Sequence, residues 1–277
     1  MSQAKRFSKF EALGNDFVLL DHRNSEPDPG AEVIRLLADR HRGVGFDQLL
    51  IVKPATTDAA DFAVSIFNQD GSPASQCGNG MRAIARWLEQ QYPDRNAFVL
   101  ATDAGLIATE NHGTRGVRVA MGRPRFGPAA VGFNAGTDLE TWTNQLPGLI
   151  GTGMVSMGNP HLILQLKQFP EPLTVEEQGR QIASCPGFSQ GINVSFAWLD
   201  PDQTVQLKVY ERGVGPTLAC GSAACATAAF LIHSGQVRSP ALIDQPGGRL
   251  VIDWRLGDDN LFMTGPARRV FDGILVE

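Results

Sequence analysis

Two cysteines of this chain stand in matching company. Cys77 lies in SQCGNGMR, residues 75–82, and Cys220 in LACGSAAC, residues 218–225; in each a glycine follows, then a small or polar residue, then a stretch patterned as helix. A cysteine at a helix start meets unpaired N–H groups and a partial positive charge, which stabilise a thiolate and also bind a carboxylate. The N–H groups of Gly78 and Asn79, and of Gly221 and Ser222, make two such cradles. If the two stretches face one another about a pseudo-twofold axis, the cradles converge on one carboxylate and the thiols flank its α-carbon. Inversion at a C–H centre needs that pair, because one group removes a proton from one face and the other delivers one to the opposite face. Thiolate and thiol suit these tasks, with proton affinities near working pH. The carbanion between them is helped by aimed N–H donors.

Competing uses of these residues are weaker. Cys185 and Cys225 read as small core residues. Cys220 and Cys225 have four residues between them, where a thiol–disulfide oxidoreductase wants two. His22, His41, His112, His161 and His233 are scattered without metal-ligand spacing, so no metal is expected. None of Lys5, Lys9, Lys53, Lys167 and Lys208 stands in a glycine context suited to pyridoxal phosphate, and no cofactor is expected.

The rest of the chain must place the two cysteines. Its 277 residues, 43% hydrophobic, fill one large domain or two modest ones. A net charge of −5 offers no basic stripe to nucleic acid. The longest strongly apolar stretch, Ala223 to Ile232, is half the roughly 20 residues a bilayer span needs, so it reads as a buried helix. The opening MSQAKRFSKF has no signal-peptide core, and four cysteines without an export signal point to the cytoplasm and to thiols rather than disulfides.

Strand patterns occur at FVLLD, QLLIV, DFAVSIF, VRVAM, QLKVY, RLVID and NLFMTG, and helical periodicity at AEVIRLLADRH and, after Cys77, at Met81, Ile84, Ala85 and Leu88. The chain also repeats itself. An offset of 143 pairs Cys77 with Cys220, Gly78 with Gly221 and Asn68 with Glu211; 144 pairs Gly14-Asn15 with Gly158-Asn159; 145 pairs Gln48 with Asn193. So long a period means two similar domains rather than a solenoid. The Gly/Pro-rich GRPRFGPAAVGFNAG, 122–136, marks their junction, with domains expected at 1–122, joined by a C-terminal strand at 268–277, and at 123–267.

NQDGSPASQCGNGMR, Asn68 to Arg82, resembles the signature N-x-D-G-S-x4-C-G-N-G-x-R of the diaminopimelate epimerases, and LGNDF, GVGFDQ, SMGNPH, INVSF and VYERG follow in that family's order. The resemblance implies an α+β fold of two similar, pseudo-twofold-related domains, each a β-structure wrapped around a central helix. It implies a cofactor-independent enzyme interconverting LL- and meso-diaminopimelate for lysine and peptidoglycan synthesis. Another two-thiol racemase of the same fold, acting on proline-like substrates, is the alternative. By the resemblance Cys77 and Cys220 are the acid/base pair, His161 and Glu211 support them, and Gly78, Asn79, Gly221 and Ser222 cradle the reacting carboxylate. Asn15, Gln48, Asn68, Asn159, Asn193, Glu211 and Arg212 line the substrate pocket; Arg212 suits the distal carboxylate and Glu211 an ammonium. Members of the family commonly dimerise through a C-terminal tyrosine, and Phe271 stands there, so a homodimer with Phe271 at the interface is expected. The chain departs from the family at Ala223, usually glycine, and at Pro216, Leu218 and Glu11-Ala12.

Overall fold

The computed structural model describes residues 5–74, 77–134, 136–170 and 174–275. Ser75 and Gln76 of the first cysteine stretch, and the final two residues of the expected C-terminal strand, lie outside them. The chain divides into two compact units, Met1–Ala120 with Thr264–Glu277, and Met121–Met263.

The first unit opens on β1 (Lys5–Ala12) and β2 (Asn15–Asp21), joined by a two-residue turn in which Leu13 and Gly14 have φ of 59° and 84°. Positive φ at both central positions is the turn that matches strand twist, and it delivers Asn15 to the head of β2. After α1 (Ala31–Ala38) come β3 (Gln48–Pro54), antiparallel β4 (Phe62–Asn68), α2 (Gly78–Gln91), and the strands β5 (Ala97–Thr102), β6 (Gly105–Asn111) and β7 (Val117–Ala120). AEVIRLLADRH reads as helix to His41, yet α1 stops at Ala38. Asp39 turns its carboxylate onto the N–H groups of His41 and Arg42, and this local bonding competes with another helical turn.

The second unit contains β8 (Arg125–Phe126), α3 (Glu140–Thr143), β9 (Leu149–Ser156), β10 (Pro160–Leu166), α4 (Val175–Ala183), β11 (Asn193–Leu199), β12 (Val205–Glu211), β13 (Gly215–Thr217), α5 (Gly221–His233), β14 (Ala241–Gln245) and β15 (Gly248–Asp253). The unit boundary falls within β16 (Phe262–Gly265), and β17 (Arg268–Leu275) then pairs antiparallel with β1.

The two units share their strand registers. In the first, β2 runs parallel to β3 with Phe17 opposite Gln48; in the second, β10 runs parallel to β11 with His161 opposite Asn193. Leu50 faces Ile66, and 145 and 143 residues later Ser195 faces Val209. Phe62 faces Leu100, and 143 residues later Val205 faces Ile243. In each unit one helix sits inside the strands. α2 packs on β1, β2, β3, β6, β7 and β17, and α5 on β9, β10, β11, β12, β14 and β15. That explains why α5 is apolar on almost every side and buried from Ala223 to Ala229. The outer sheet face of each unit takes the amphipathic helix. Ile34 and Ala38 of α1 pack with Val18, Leu20, Leu49 and Ile51, and Ile182 of α4 packs with Leu162, Leu164, Val194 and Phe196.

Candidate active site

Each cysteine is the N-cap of its unit's buried helix. Cys77 has extended backbone (φ −147°, ψ 103°), its carbonyl accepts from Met81 N, and its sulfur accepts from Gly80 N at 3.3 Å. Cys220 is likewise extended (φ −125°, ψ 112°), its carbonyl accepts from Ala224 N, and its own N–H donates to Gln245 Oε1 at 2.8 Å. The N–H groups of Gly78 and Asn79, and of Gly221 and Ser222, fall at the first two helical positions, where a helix supplies no internal acceptor. Gly80 is small for a reason: a Cβ there would come within 2.9 Å of Leu50 Cδ2 and 3.5 Å of Cys77 Sγ. Ala223, which follows Cys220 as Gly80 follows Cys77, is fully buried, and Ser195 takes the register position of Leu50.

In the first unit Asn15 and Asn79 stand beside Cys77, and Gln48 and Asn68 form a second polar pair. Asn15 Oδ1 lies 4.0 Å from Cys77 Sγ and accepts from Asn79 Nδ2 at 3.4 Å. Asn15 Nδ2 donates to Asp47 Oδ2 at 2.8 Å. Gln48 and Asn68, opposite each other on β3 and β4, join by Gln48 Nε2 to Asn68 Oδ1 at 3.0 Å, and Asn68 Nδ2 donates to Ser72 Oγ at 3.1 Å. The buried Asn79 Oδ1 and Gln48 Oε1 are left without hydrogen-bond partners among the described residues.

Around Cys220 the second unit assembles Asn159, His161, Asn193, Glu211 and Ser222. His161 Nε2 lies 3.0 Å from Asn159 Oδ1, Asn159 Nδ2 donates to Ser222 Oγ at 3.1 Å, and Ser222 Oγ lies 3.5 Å from Cys220 Sγ. Burial, and then the positive charge of Arg212, lower His161 to about 3, so it is neutral at working pH. With Asn159 donating to Ser222, its oxygen is the end that His161 meets, and His161 carries its proton on Nε2. Burial, and then the Glu211 carboxylate, push the Cys220 thiol well above its usual value, against the lowering effect of Ser222 and the Ala223 N–H. Cys220 therefore rests as a thiol. Glu211 is itself fixed by Thr217 Oγ1, 2.6 Å from its Oε1.

Glu211 is the last residue of β12, and Arg212 lies beyond the strand in the bend before Gly213, whose φ is 77°. Alternation along a regular strand would send the two to opposite faces; leaving the strand removes that constraint. Arg212 donates its backbone N–H to Asn193 Oδ1 at 3.0 Å and its Nη1 to Gln190 O at 2.7 Å, while Asn193 Nδ2 holds Pro160 O at 2.8 Å. Among the residues that depart from the family pattern, Pro216 and Leu218 are exposed, and Glu11 Oε2 accepts from Gly14 N at 3.2 Å at the hairpin carrying Asn15.

Sequence reasoning missed Asp47, Thr217 and Gln245, each in direct hydrogen bond with an expected site residue or with Cys220. Asp47 adjoins Gln48, but the repeat places Ile192 at its equivalent, so self-comparison gave it no partner. No group of three or more metal-binding side chains occurs among the described residues.

The diaminopimelate epimerase family model matches residues 7–127 and 153–270. The diaminopimelate epimerase of Pseudomonas syringae pv. syringae is 40% identical over 270 residues, 97% of this chain and 98% of that protein. A phenazine biosynthesis protein of the PhzF family from Bacillus anthracis shares the fold at a TM-score of 0.73 with 14% identity, over 99% of this chain and 100% of that one. A hydroxyproline epimerase from Agrobacterium vitis, solved with trans-4-hydroxy-L-proline, superposes at 0.67 with 15% identity, over 99% and 93%. With both cysteine caps and the family model spanning most of both units, the chain belongs to the diaminopimelate epimerase family.

Proposed function

We propose that this protein interconverts LL- and meso-diaminopimelate, without a cofactor, using Cys77 and Cys220 as its two acid/base groups. The observation that carries the reading is the matched placement of the two thiols, each capping a helix buried in its own unit. A thiolate takes the α-proton from one face while the other thiol gives its proton to the opposite face; the substrate gains and loses one proton, and the two sulfurs exchange protonation states. The first-turn N–H groups at Gly78, Asn79, Gly221 and Ser222 hold the carboxylate, whose charge grows as the carbanion forms. In this reading Asn15, Gln48, Asn68, Asn159 and Asn193 line the pocket, Glu211 takes an ammonium, Arg212 the distal carboxylate, and the neutral His161 orients Asn159. Cys220, a thiol at rest, gives its proton after Cys77 has taken the α-proton, and in the reverse direction the two exchange these roles.

The same reading makes the protein a supplier of lysine and peptidoglycan precursor, working in the cytoplasm, where thiols stay reduced. It forms a homodimer through β17, on which Val270, Phe271 and Ile274 are about half exposed and the Phe271 ring packs edge-on to Phe7 at 5.9 Å. Sedimentation should give twice the chain mass at micromolar concentration; a stable, active monomer would exclude the dimer.

The activity is tested with pure LL-diaminopimelate in D₂O. Meso product carrying one α-deuterium is the expected result. Loss of α-hydrogen without inversion, or no exchange at all, would overturn the two-base reading.

A further inference from the structure

We infer that Asp47 is a positioning residue, which decides which end of the Asn15 amide faces Cys77. An asparagine side chain presents an acceptor oxygen and a donor nitrogen of nearly equal size, interchanged by a half-turn about its last bond. A carboxylate only accepts. Asp47 Oδ2, 2.8 Å from Asn15 Nδ2, therefore admits the nitrogen and turns Asn15 Oδ1 toward Cys77 Sγ at 4.0 Å and Asn79 Nδ2 at 3.4 Å. The reversed amide would set oxygen against carboxylate at Asp47 and donor against donor at Asn79. Because Asn79 spends its nitrogen on Asn15, its buried Oδ1 is left as an acceptor without a partner among the described residues, suited to a substrate ammonium.

Asp47 is itself held in place. Its backbone N–H reaches Asp16 O at 2.9 Å and Asp16 Oδ1 at 3.0 Å, its Oδ2 also accepts from Asp16 N at 3.1 Å, and its Oδ1 accepts from Arg40 Nη2 at 2.9 Å. Asp16 is ionised at working pH: burial raises it, but Arg40 and Lys9 outweigh this and bring it to about 2. Lys9 completes the clamp by donating to Gly45 O. The second unit lacks the device. Ile192, fully buried, stands where the repeat would place Asp47, and Asn159 takes its orientation from His161 and Ser222, with its nitrogen on Ser222 Oγ. Cys77 thus lies beside the oxygen of Asn15, whereas the equivalent Asn159 gives its nitrogen to Ser222, the hydroxyl next to Cys220.

The effect of Asp47 on turnover rests on the epimerase reading, whereas its effect on Cys77 does not. Two measurements therefore run side by side on Asp47→Ala, Asn15→Ala, the double variant and Asp47→Asn: iodoacetamide labelling of Cys77 against pH, located by peptide mass spectrometry, and kcat/KM for LL-diaminopimelate. With the carboxylate gone the amide can turn an N–H toward the sulfur, which favours the thiolate. Asp47→Ala should label roughly three- to tenfold faster at pH 7, the worth of one hydrogen bond, and lose about tenfold in kcat/KM. The double variant should be no worse than Asn15→Ala alone, since Asp47 acts through Asn15. Asp47→Asn should recover most of both, because its oxygen can serve Asn15 Nδ2 and Asp16 N while the half-exposed Arg40 turns to water. If Asp47→Ala does not fold, Asp47→Ser gives the same reading, since a hydroxyl donates as readily as it accepts. Losses that add in the double variant, or a Cys77 labelling profile unmoved by removal of the carboxylate, would overturn the assignment. A wild-type protein inert toward diaminopimelate would sink the substrate reading and leave the labelling result to decide Asp47.

Discussion

Replacing His161 by phenylalanine should make the protein less sensitive to mild acid. His161 is fully buried, its Nε2 bonds Asn159 Oδ1 at 3.0 Å, and its Nδ1 has no hydrogen-bond partner among the described residues. Burial and Arg212 hold the folded ring at about 3, against 6.5 for an ordinary histidine. The folded value lies below the unfolded one, so the unfolded chain takes up a proton first as the pH drops. Stability is complete above pH 6.5 and falls toward pH 3 by about 1.4 kcal/mol per pH unit. Between pH 7.5 and 5 this single group costs about 2 kcal/mol, and the gap from 6.5 to about 3 caps the whole effect at about 5 kcal/mol. The Asp16 contribution is lost lower, as pH falls from 3.8 toward about 2, and leaves this window clear. Phenylalanine suits the test because the register-equivalent position in the first unit is Phe17, also fully buried. Urea unfolding, followed by far-UV circular dichroism at fixed protein concentration, should show the wild type losing about 2 kcal/mol more than His161→Phe from pH 7.5 to 5. Parallel pH dependences would refute a neutral, buried His161.

Three further outcomes follow from the geometry and the proposed chemistry. Cys77→Ser and Cys220→Ser should each lose epimerisation yet retain halide elimination from a β-halogenated analogue, with opposite preferences for α-configuration; the same preference in both mutants would exclude a thiol on each face. Arg212→Lys should cost about 1.5 to 3 kcal/mol in kcat/KM toward diaminopimelate, because lysine lacks the planar pair of donors; wild-type kinetics would remove Arg212 from the distal carboxylate. Gly80→Ala forces its new methyl against Leu50 Cδ2 at 2.9 Å, and thermal unfolding should register a destabilisation of about 1 to 3 kcal/mol that Leu50→Ala in the same chain partly relieves.

Periodicity and self-similarity carried much of the architecture. The alternation at Phe62, Val64 and Ile66 is β4, and the apolar run after Cys220 is α5, because a helix enclosed by strands must be apolar all round. The repeat was legible because both units keep one register, so residues a fixed offset apart occupy equivalent sites, as Leu50 and Ser195 do. What self-comparison reveals, however, is only what the halves have in common. Asp47 and Ile192 are equivalent in position and opposite in chemistry, as are Phe17 and His161, and only tertiary structure shows what each touches. The early stop of α1 at Ala38 was hidden for a similar reason: Leu36 and Leu37 continue the helical pattern, but the Asp39 carboxylate captures the His41 and Arg42 N–H groups. Residue types and spacing determine which groups can act, since chemistry and periodicity are local. Which end of an amide faces a sulfur, and whether a histidine is neutral, depend on carboxylates, guanidinium groups and burial supplied by segments distant in sequence, such as Asp47 against Asn15 and Arg212 against His161.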